Sequence, residues 1–136
     1  MKDDEKYILA MLRLDRANEL LIESKELLEK EKYKSANNRA FYSIEKSLNA
    51  LLILEGITAK THVGCINQFN KIYVFEKNVG FEIDDYKAAL SAEKIRTESD
   101  YDDFYIANKD ETKSQIDTAE QIYIKAKKYI DSIQTR

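Results

Sequence analysis

The chain has 136 residues and a net charge of −3, with three glycines, no proline, one cysteine and one histidine. One cysteine and one histidine exclude a disulfide framework and a closed structural zinc site, and three scattered glycines exclude a P-loop and a dinucleotide-binding fingerprint. The length predicts a single domain over 1–136, and the scarcity of glycine and proline predicts long helices rather than a turn-rich β fold.

Two long helices are predicted in the first half of the chain, because apolar residues recur there at spacings of three and four. The first extends from about Asp4 to Lys30 and the second from about Lys34 to Glu55. The apolar stripe of the first consists of Ile8, Met11, Leu12, Leu20, Leu21, Leu27 and Leu28. That of the second consists of Ala36, Ala40, Phe41, Ile44, Leu48, Leu51 and Leu52. Gly56 follows directly and suits the left-handed conformation that often ends a helix.

Two shorter helices are predicted next. Thr61 is the predicted N-cap of the third, which ends before a turn at 78–80. Asp84 and Asp85 begin the fourth, where acidic side chains favour the positive end of the helix dipole, and Ser99 is its last clearly helical position. The apolar positions of these two helices are Val63, Ile66, Phe69, Ile72, Tyr73, Tyr86, Ala89, Leu90 and Ile95.

A fifth helix closes the chain. Asn108 with Glu111 three residues later is typical of a capping box at a helix start. Its narrow apolar seam, which predicts coiled-coil-like packing, consists of Ile116, Ala119, Tyr123, Ala126, Ile130 and Ile133. Together the patterns predict an all-α fold, a four- to five-helix up-and-down bundle.

The sequence also predicts a soluble, cytoplasmic protein. Residues 1–6 are charged and mostly acidic, with no apolar run behind them long enough for a signal peptide. No stretch approaches the ~20 apolar residues that span a bilayer, and a lone cysteine fits a reducing compartment. We therefore predict no membrane association.

Charge is unevenly distributed along the chain. Residues 33–77 hold six Lys/Arg and three Asp/Glu, whereas residues 78–106 hold three Lys/Arg and eight Asp/Glu. The second and third helices would then face a phosphate, and the fourth would attract a basic protein surface. The alternative is that both are ordinary solvated faces.

Arg39 and Tyr42 are the first candidate binding residues. They lie three positions apart and share one surface of the second helix. An arginine here can bind a phosphate or a carboxylate bidentately. The alternative is a structural ion pair with Glu98 or Asp100 of another helix.

Lys60 and His62 are the second pair of candidates, at the start of the third helix. Free N–H groups and the helix dipole favour an anion there, and these two side chains would add to that preference. The alternative is that His62, the single histidine, simply makes a local hydrogen bond.

Arg96 is the third candidate, with Asp100 four residues later and Tyr101 five residues later. The i, i+4 spacing predicts an Arg96–Asp100 ion pair on one helix face. No metal site is predicted from the acidic cluster, because no EF-hand glycine follows and no Glu-x-x-His pair is present. That cluster consists of Glu98, Asp100, Asp102 and Asp103.

The order of these features resembles the HEPN domain, and most closely the short stand-alone HEPN proteins of bacteria and archaea. The resemblance covers the chain from about Leu9 to Ile133. It depends on a first helix that ends in Leu-Leu, a tract from Tyr33 through Arg39-Ala40-Phe41-Tyr42 to Gly56, the Thr61-His62-x-Gly64 element, and Arg96 with Asp100-Tyr101.

The resemblance implies a bundle of four or five helices that pairs into a two-fold homodimer. It also implies a minimal nucleotidyltransferase as partner, in a toxin–antitoxin-type system. Many members of the family are metal-independent ribonucleases whose motif is an arginine, four to six arbitrary residues and a histidine. The two motifs of the dimer then meet in a shared cleft.

This chain departs from that motif at the histidine. Arg96 matches the arginine, but Tyr101 occupies the position five residues later, and His62 belongs to a different element. The sequence therefore predicts a dimeric module that binds a nucleotide or RNA, without a cofactor and without DNA binding. One alternative is an endoribonuclease that uses Arg96 with Tyr101 or His62, and another is a non-catalytic helical dimerisation scaffold.

Overall fold

The computed structural model describes residues 1–134, and within them the chain forms five α-helices and no strand. They are α1 (Asp3–Glu29), α2 (Tyr33–Leu54), α3 (His62–Phe69), α4 (Ile83–Tyr101) and α5 (Lys109–Gln134). The all-α bundle predicted from the sequence is confirmed. The single-domain organisation over 1–136 stays a prediction, and its last two positions lie outside the described residues.

Local signals place the helix boundaries close to the predicted ones. The Oγ1 atom of Thr61 accepts a hydrogen bond from the N–H of Gly64 at 2.9 Å, so Thr61 is the N-cap of α3. Gly56, two residues beyond the end of α2, has φ of +72°. The Asn108 side chain accepts from the N–H of Glu111 at 2.8 Å, which is one of the two hydrogen bonds of the predicted capping box, and the Glu111 carboxylate bonds the Tyr105 hydroxyl.

The third predicted helix differs from the observed one in its second half. A π-helical segment (Asn70–Glu76) continues α3, so the α-helix itself ends at Phe69. Tyr73 of this segment is fully buried, and its hydroxyl donates to the carbonyl of Leu51 at 2.6 Å. Burial raises the pKa of Tyr73, which keeps the hydroxyl protonated and able to donate.

The core is built around α2, which packs on α1, α3, α4 and α5. Twelve of its 22 residues are buried, including Ala36 and Ala40 of the predicted apolar stripe. These alanines let a neighbouring helix approach closely. The seam predicted for α5 is buried at Ile116, Ala119, Ala126 and Ile130.

The stripe predicted for α1 is partly wrong. Ile8 and Leu12 are exposed, whereas Ala10, Leu14 and Ala17 are buried. The buried positions follow the i, i+4, i+7 spacing of one helix face, and two of them are small. Close packing against α2, the most extensive helix contact of the fold, selected this face rather than the one with larger side chains. Within residues 1–134 no helix has the length and apolarity needed to cross a membrane.

Candidate functional site

Arg96 of α4 is buried, with 5% of its surface exposed, and lies between two carboxylates of its own helix. Its Nη2 is 2.6 Å from the Glu93 carboxylate and its Nη1 is 3.2 Å from that of Asp100, which confirms the predicted Arg96–Asp100 pair. The guanidinium carbon is also 5.3 Å from the ring centroid of Phe41 and 5.8 Å from that of Tyr42. Arg96 thus joins α4 to the middle of α2.

This environment keeps the Arg96 guanidinium charged. Burial alone would lower the pKa of Arg96, but hydrogen bonds to Glu93 and Asp100 raise it above the usual value. Among the described residues the Arg96 Nε has no hydrogen-bond partner. Because the buried guanidinium is paired with two carboxylates, it fixes the side chains around it, and little of its positive charge is exposed to solvent.

Arg39 takes part in the same network from α2. Its Nη1 donates to the Asn38 side chain at 2.6 Å, and the Asn38 amide in turn donates to Asp100 at 3.1 Å. The ion-pair partner of Arg39 is Glu23 of α1, at 3.3 Å. Arg39 therefore forms the structural ion pair of the alternative interpretation, but its partner is Glu23 rather than Glu98 or Asp100, and Asp100 instead accepts from Arg96 and Asn38.

His62, at the first position of α3, pairs with Glu45 of α2 through a short contact between Nδ1 and the carboxylate. The imidazole also packs edge-on against Phe41 and Tyr42, with centroids 5.3 Å and 5.9 Å away. With its Nδ1 proton directed at Glu45, a neutral imidazole has Nε2 free to accept a proton. Sequence reasoning did not identify Glu45, because its partner is 17 residues away on another helix.

Arg96, His62 and Arg39 all lie near the ring of Tyr42. Arg96 and His62 both lie within 6 Å of its centroid, and Arg39 is one helical turn away on α2. We call the surface formed by Arg39, Tyr42, Glu45, His62 and Arg96 the Tyr42 face. Two shallow pockets adjoin it, one of about 320 Å³ on the Arg39 side and one of about 380 Å³ on the His62 side.

Two predicted site residues lie at or beyond the edge of the Tyr42 face. Lys60 is exposed and lines the pocket on the His62 side. Tyr101 is the last residue of α4 and is 76% exposed. Five residues turn a helix by about 140° beyond one full turn, so Tyr101 points away from Arg96 within the chain.

The two arginines and the histidine of the face are each paired with a carboxylate. The pairs are Arg39 with Glu23, His62 with Glu45, and Arg96 with both Glu93 and Asp100. Within residues 1–134 no three His, Cys, Asp or Glu side chains gather closely enough to hold a metal ion. The face is therefore a network of opposite charges around aromatic rings.

Cys65 lies beneath the His62-side pocket and is expected to be chemically inert. Its thiol is buried and donates to the Asn49 side chain at 3.4 Å, and burial together with the charge of Glu45 raises its pKa to about 12. At about pH 8 we expect an aromatic disulfide reagent to label Cys65 at least roughly a hundredfold more slowly in the native protein than in urea, because the thiolate is the reactive form. Equal rates in the two conditions would contradict the burial.

The chain resembles a known protein family and individual known proteins. The family model for the HEPN domain matches residues 10–129. A Thermotoga maritima protein described as a UPF0332 protein is 35% identical over 83 residues, which is 61% of this chain and 61% of that protein. A Methanocaldococcus jannaschii protein named "Putative toxin MJ0605" is 29% identical over 133 residues, 97% of this chain and 90% of that one. The matched range includes α2, α3 and α4 in full, and the chain belongs to the HEPN domain family.

Proposed function

We propose that the protein is the HEPN component of a toxin–antitoxin-type pair. It acts as a cytoplasmic homodimer that binds a nucleotide or RNA on the Tyr42 face and works with a minimal nucleotidyltransferase. Membership of the HEPN family supports this, as does the likeness over 97% of the chain to a protein named as a toxin.

The proposal depends mainly on the surroundings of Arg96, which lack the motif histidine and include two paired carboxylates. The usual ribonuclease motif of the family requires a histidine four to six residues after the arginine, and Tyr101 occupies that window here. A tyrosine hydroxyl is a poor proton acceptor at neutral pH, and this one is exposed and directed away from Arg96. Because Glu93 and Asp100 also compensate the positive charge of Arg96, we favour ligand binding at the face over the usual cleavage mechanism.

The Tyr42 ring provides the binding surface for a base. Aromatic rings stack on bases of any sequence, and neighbouring cations contact the phosphates. The Arg39–Glu23 pair is partly exposed, so a phosphate displaces Glu23 at small cost. Lys60 adds an exposed positive charge on the other side.

Fluorescence anisotropy with a labelled oligoribonucleotide and with labelled ATP tests this proposal at about 50 mM salt. We expect Tyr42→Leu to raise Kd about tenfold, because leucine fills the space beside Arg96 and His62 but removes the stacking ring. Phe75→Leu, an exposed aromatic in the π-helical segment, is the matched control and should bind like the wild type. Absence of wild-type binding, or equal binding by Tyr42→Leu, would contradict the proposal.

A second candidate is a metal-independent endoribonuclease that uses Arg96 with His62, or with Tyr101 of the other protomer, in a cleft shared by the dimer. The observation in its favour is the Glu45–His62 pair, since a carboxylate that orients an imidazole is the arrangement of many general bases. His62 also borders the same Tyr42 ring as Arg96.

Incubation of the dimer with a mixed RNA pool in EDTA distinguishes the two candidates. An endoribonuclease would cleave RNA in EDTA, lose activity in His62→Gln and weaken in Glu45→Gln, and Tyr101→Phe would show whether the phenol takes part. Intact RNA would eliminate this candidate. A dimer that neither binds nor cleaves would be a dimerisation scaffold instead.

A further inference from the structure

The connection between α4 and α5 exposes large apolar side chains among carboxylates. Tyr101, Phe104 and Ile106 are 76%, 94% and 85% exposed. Residues 97–108 contain four acidic residues and no Lys or Arg. We call residues 100–106 the acidic–aromatic segment.

Hydrogen bonds hold the backbone of the acidic–aromatic segment in place. The N–H of Phe104 donates to the Asp102 carboxylate at 2.9 Å, and the N–H of Tyr105 donates to the Asp102 carbonyl at 3.1 Å. The Tyr105 hydroxyl bonds the Glu111 carboxylate of α5, and Lys34 of α2 reaches the Asp102 carbonyl at 3.4 Å. An ordered backbone therefore presents a Phe104 ring that almost nothing in the protomer covers.

These features indicate a binding surface for another macromolecule. Exposed apolar groups with a polar rim mark interaction sites, and a buried aromatic ring is a common energetic centre of an interface. A preordered segment also loses little conformational entropy on binding. The negative charge repels nucleic acid phosphates and anionic lipids and attracts lysine and arginine side chains.

We propose that the acidic–aromatic segment docks into a hollow on a partner protein, with the Phe104 ring on an apolar floor and a rim of Lys and Arg side chains facing Asp102 and Asp103. The partner is the nucleotidyltransferase of the pair, so this inference rests on the proposed function. The segment starts at Asp100, which binds Arg96 and Asn38, so the docked partner lies beside the Tyr42 face.

The test measures binding of the purified protein to the minimal nucleotidyltransferase encoded nearest to it, by biolayer interferometry. We expect Phe104→Ser to raise Kd about tenfold or more, since it removes the apolar contact. We expect Asp103→Lys to lower the association rate several-fold, with a smaller effect as salt rises above about 0.1 M. Phe75→Ser is the matched control, because Phe75 is 72% exposed on a different part of the molecule, and its Kd should stay within about twofold.

Each other outcome has a defined meaning. Binding that Phe104→Ser leaves unchanged overturns the docking site and leaves the partnership intact. Absence of wild-type binding overturns the partnership, and the docking site with it. If Phe104→Ser instead converts a dimer to a monomer in sedimentation, the segment contacts a second copy of the chain and the proposal is wrong. Phe104 is almost fully exposed, so the variant should unfold at the wild-type urea concentration.

Discussion

Arg96→Ala should lower the free energy of unfolding by about 3 kcal/mol, because it leaves two carboxylates without the charge that compensates them. The Arg96 side chain is 6% exposed, and those of Glu93 and Asp100 are 19% and 24% exposed. The substitution also removes the guanidinium from the ring of Phe41. Urea unfolding followed by far-UV circular dichroism measures the change.

Arg39→Ala is the matched control for Arg96→Ala. It breaks the Arg39–Glu23 pair, in which both side chains are more than 40% exposed, and should cost less than about 1 kcal/mol. Arg96→Lys should fall between the two, because lysine keeps the charge but cannot contact both carboxylates with a planar fork. Equal unfolding midpoints for the two alanine variants would show that burial of the Arg96 network adds no stability.

The expected effect of Arg96→Ala limits what that variant can report about function. A variant that is partly unfolded loses binding or cleavage whatever Arg96 does for a ligand. Tyr42→Leu and His62→Gln alter side chains that are only partly buried, so they are better probes of the Tyr42 face.

Phe41→Ala is the second substitution with a large expected effect, a loss of about 3–5 kcal/mol in the free energy of unfolding. Phe41 is 1% exposed and contacts the rings of Tyr42 and His62 as well as the Arg96 guanidinium. Its removal leaves a cavity where α2, α3 and α4 meet. We therefore expect ligand binding at the Tyr42 face to weaken even where the variant is folded. Anisotropy at low temperature and without urea can measure this loss of binding separately from the loss of stability.

Two variants separate the cavity from the loss of an aromatic ring. Phe41→Leu keeps most of the volume and should cost less than about 1.5 kcal/mol, and the exposed Phe75→Ala should change stability by less than about 0.5 kcal/mol. A Phe41→Ala protein as stable as Phe75→Ala would mean that Phe41 does not belong to the core.

The core and the Tyr42 face are therefore not independent parts of the molecule. Phe41 and Tyr42 are consecutive residues of α2, and the first is buried while the second is partly exposed. Because α2 packs on four other helices, most of its surface is buried, and any site residue on it lies next to a core residue. Substitutions in the site should consequently be accompanied by a stability measurement.

The helices and most of their ends were predictable from the amino-acid sequence. Helical periodicity and capping depend on residues three or four positions apart, so Thr61, Gly56 and the seam of α5 were readable without a structure. The face of α1 was not, because Ile8 and Leu12 are larger and more apolar than Ala10 and Ala17. Only packing against α2 shows that the small residues face inward.

Which charges meet across helices follows from the packing of the helices. Glu45 pairs with His62, Glu23 with Arg39, and the Arg96 guanidinium lies on Phe41, all between different helices. The Arg96–Asp100 pair was predictable because four residues separate its members on one helix. Pairings across helices depend on the rotation and offset of two packed cylinders, which no local spacing encodes. For that reason the sequence identified Arg39, His62 and the Arg96–Asp100 pair, and the structure was needed to identify Glu23 and Glu45 as partners of the first two.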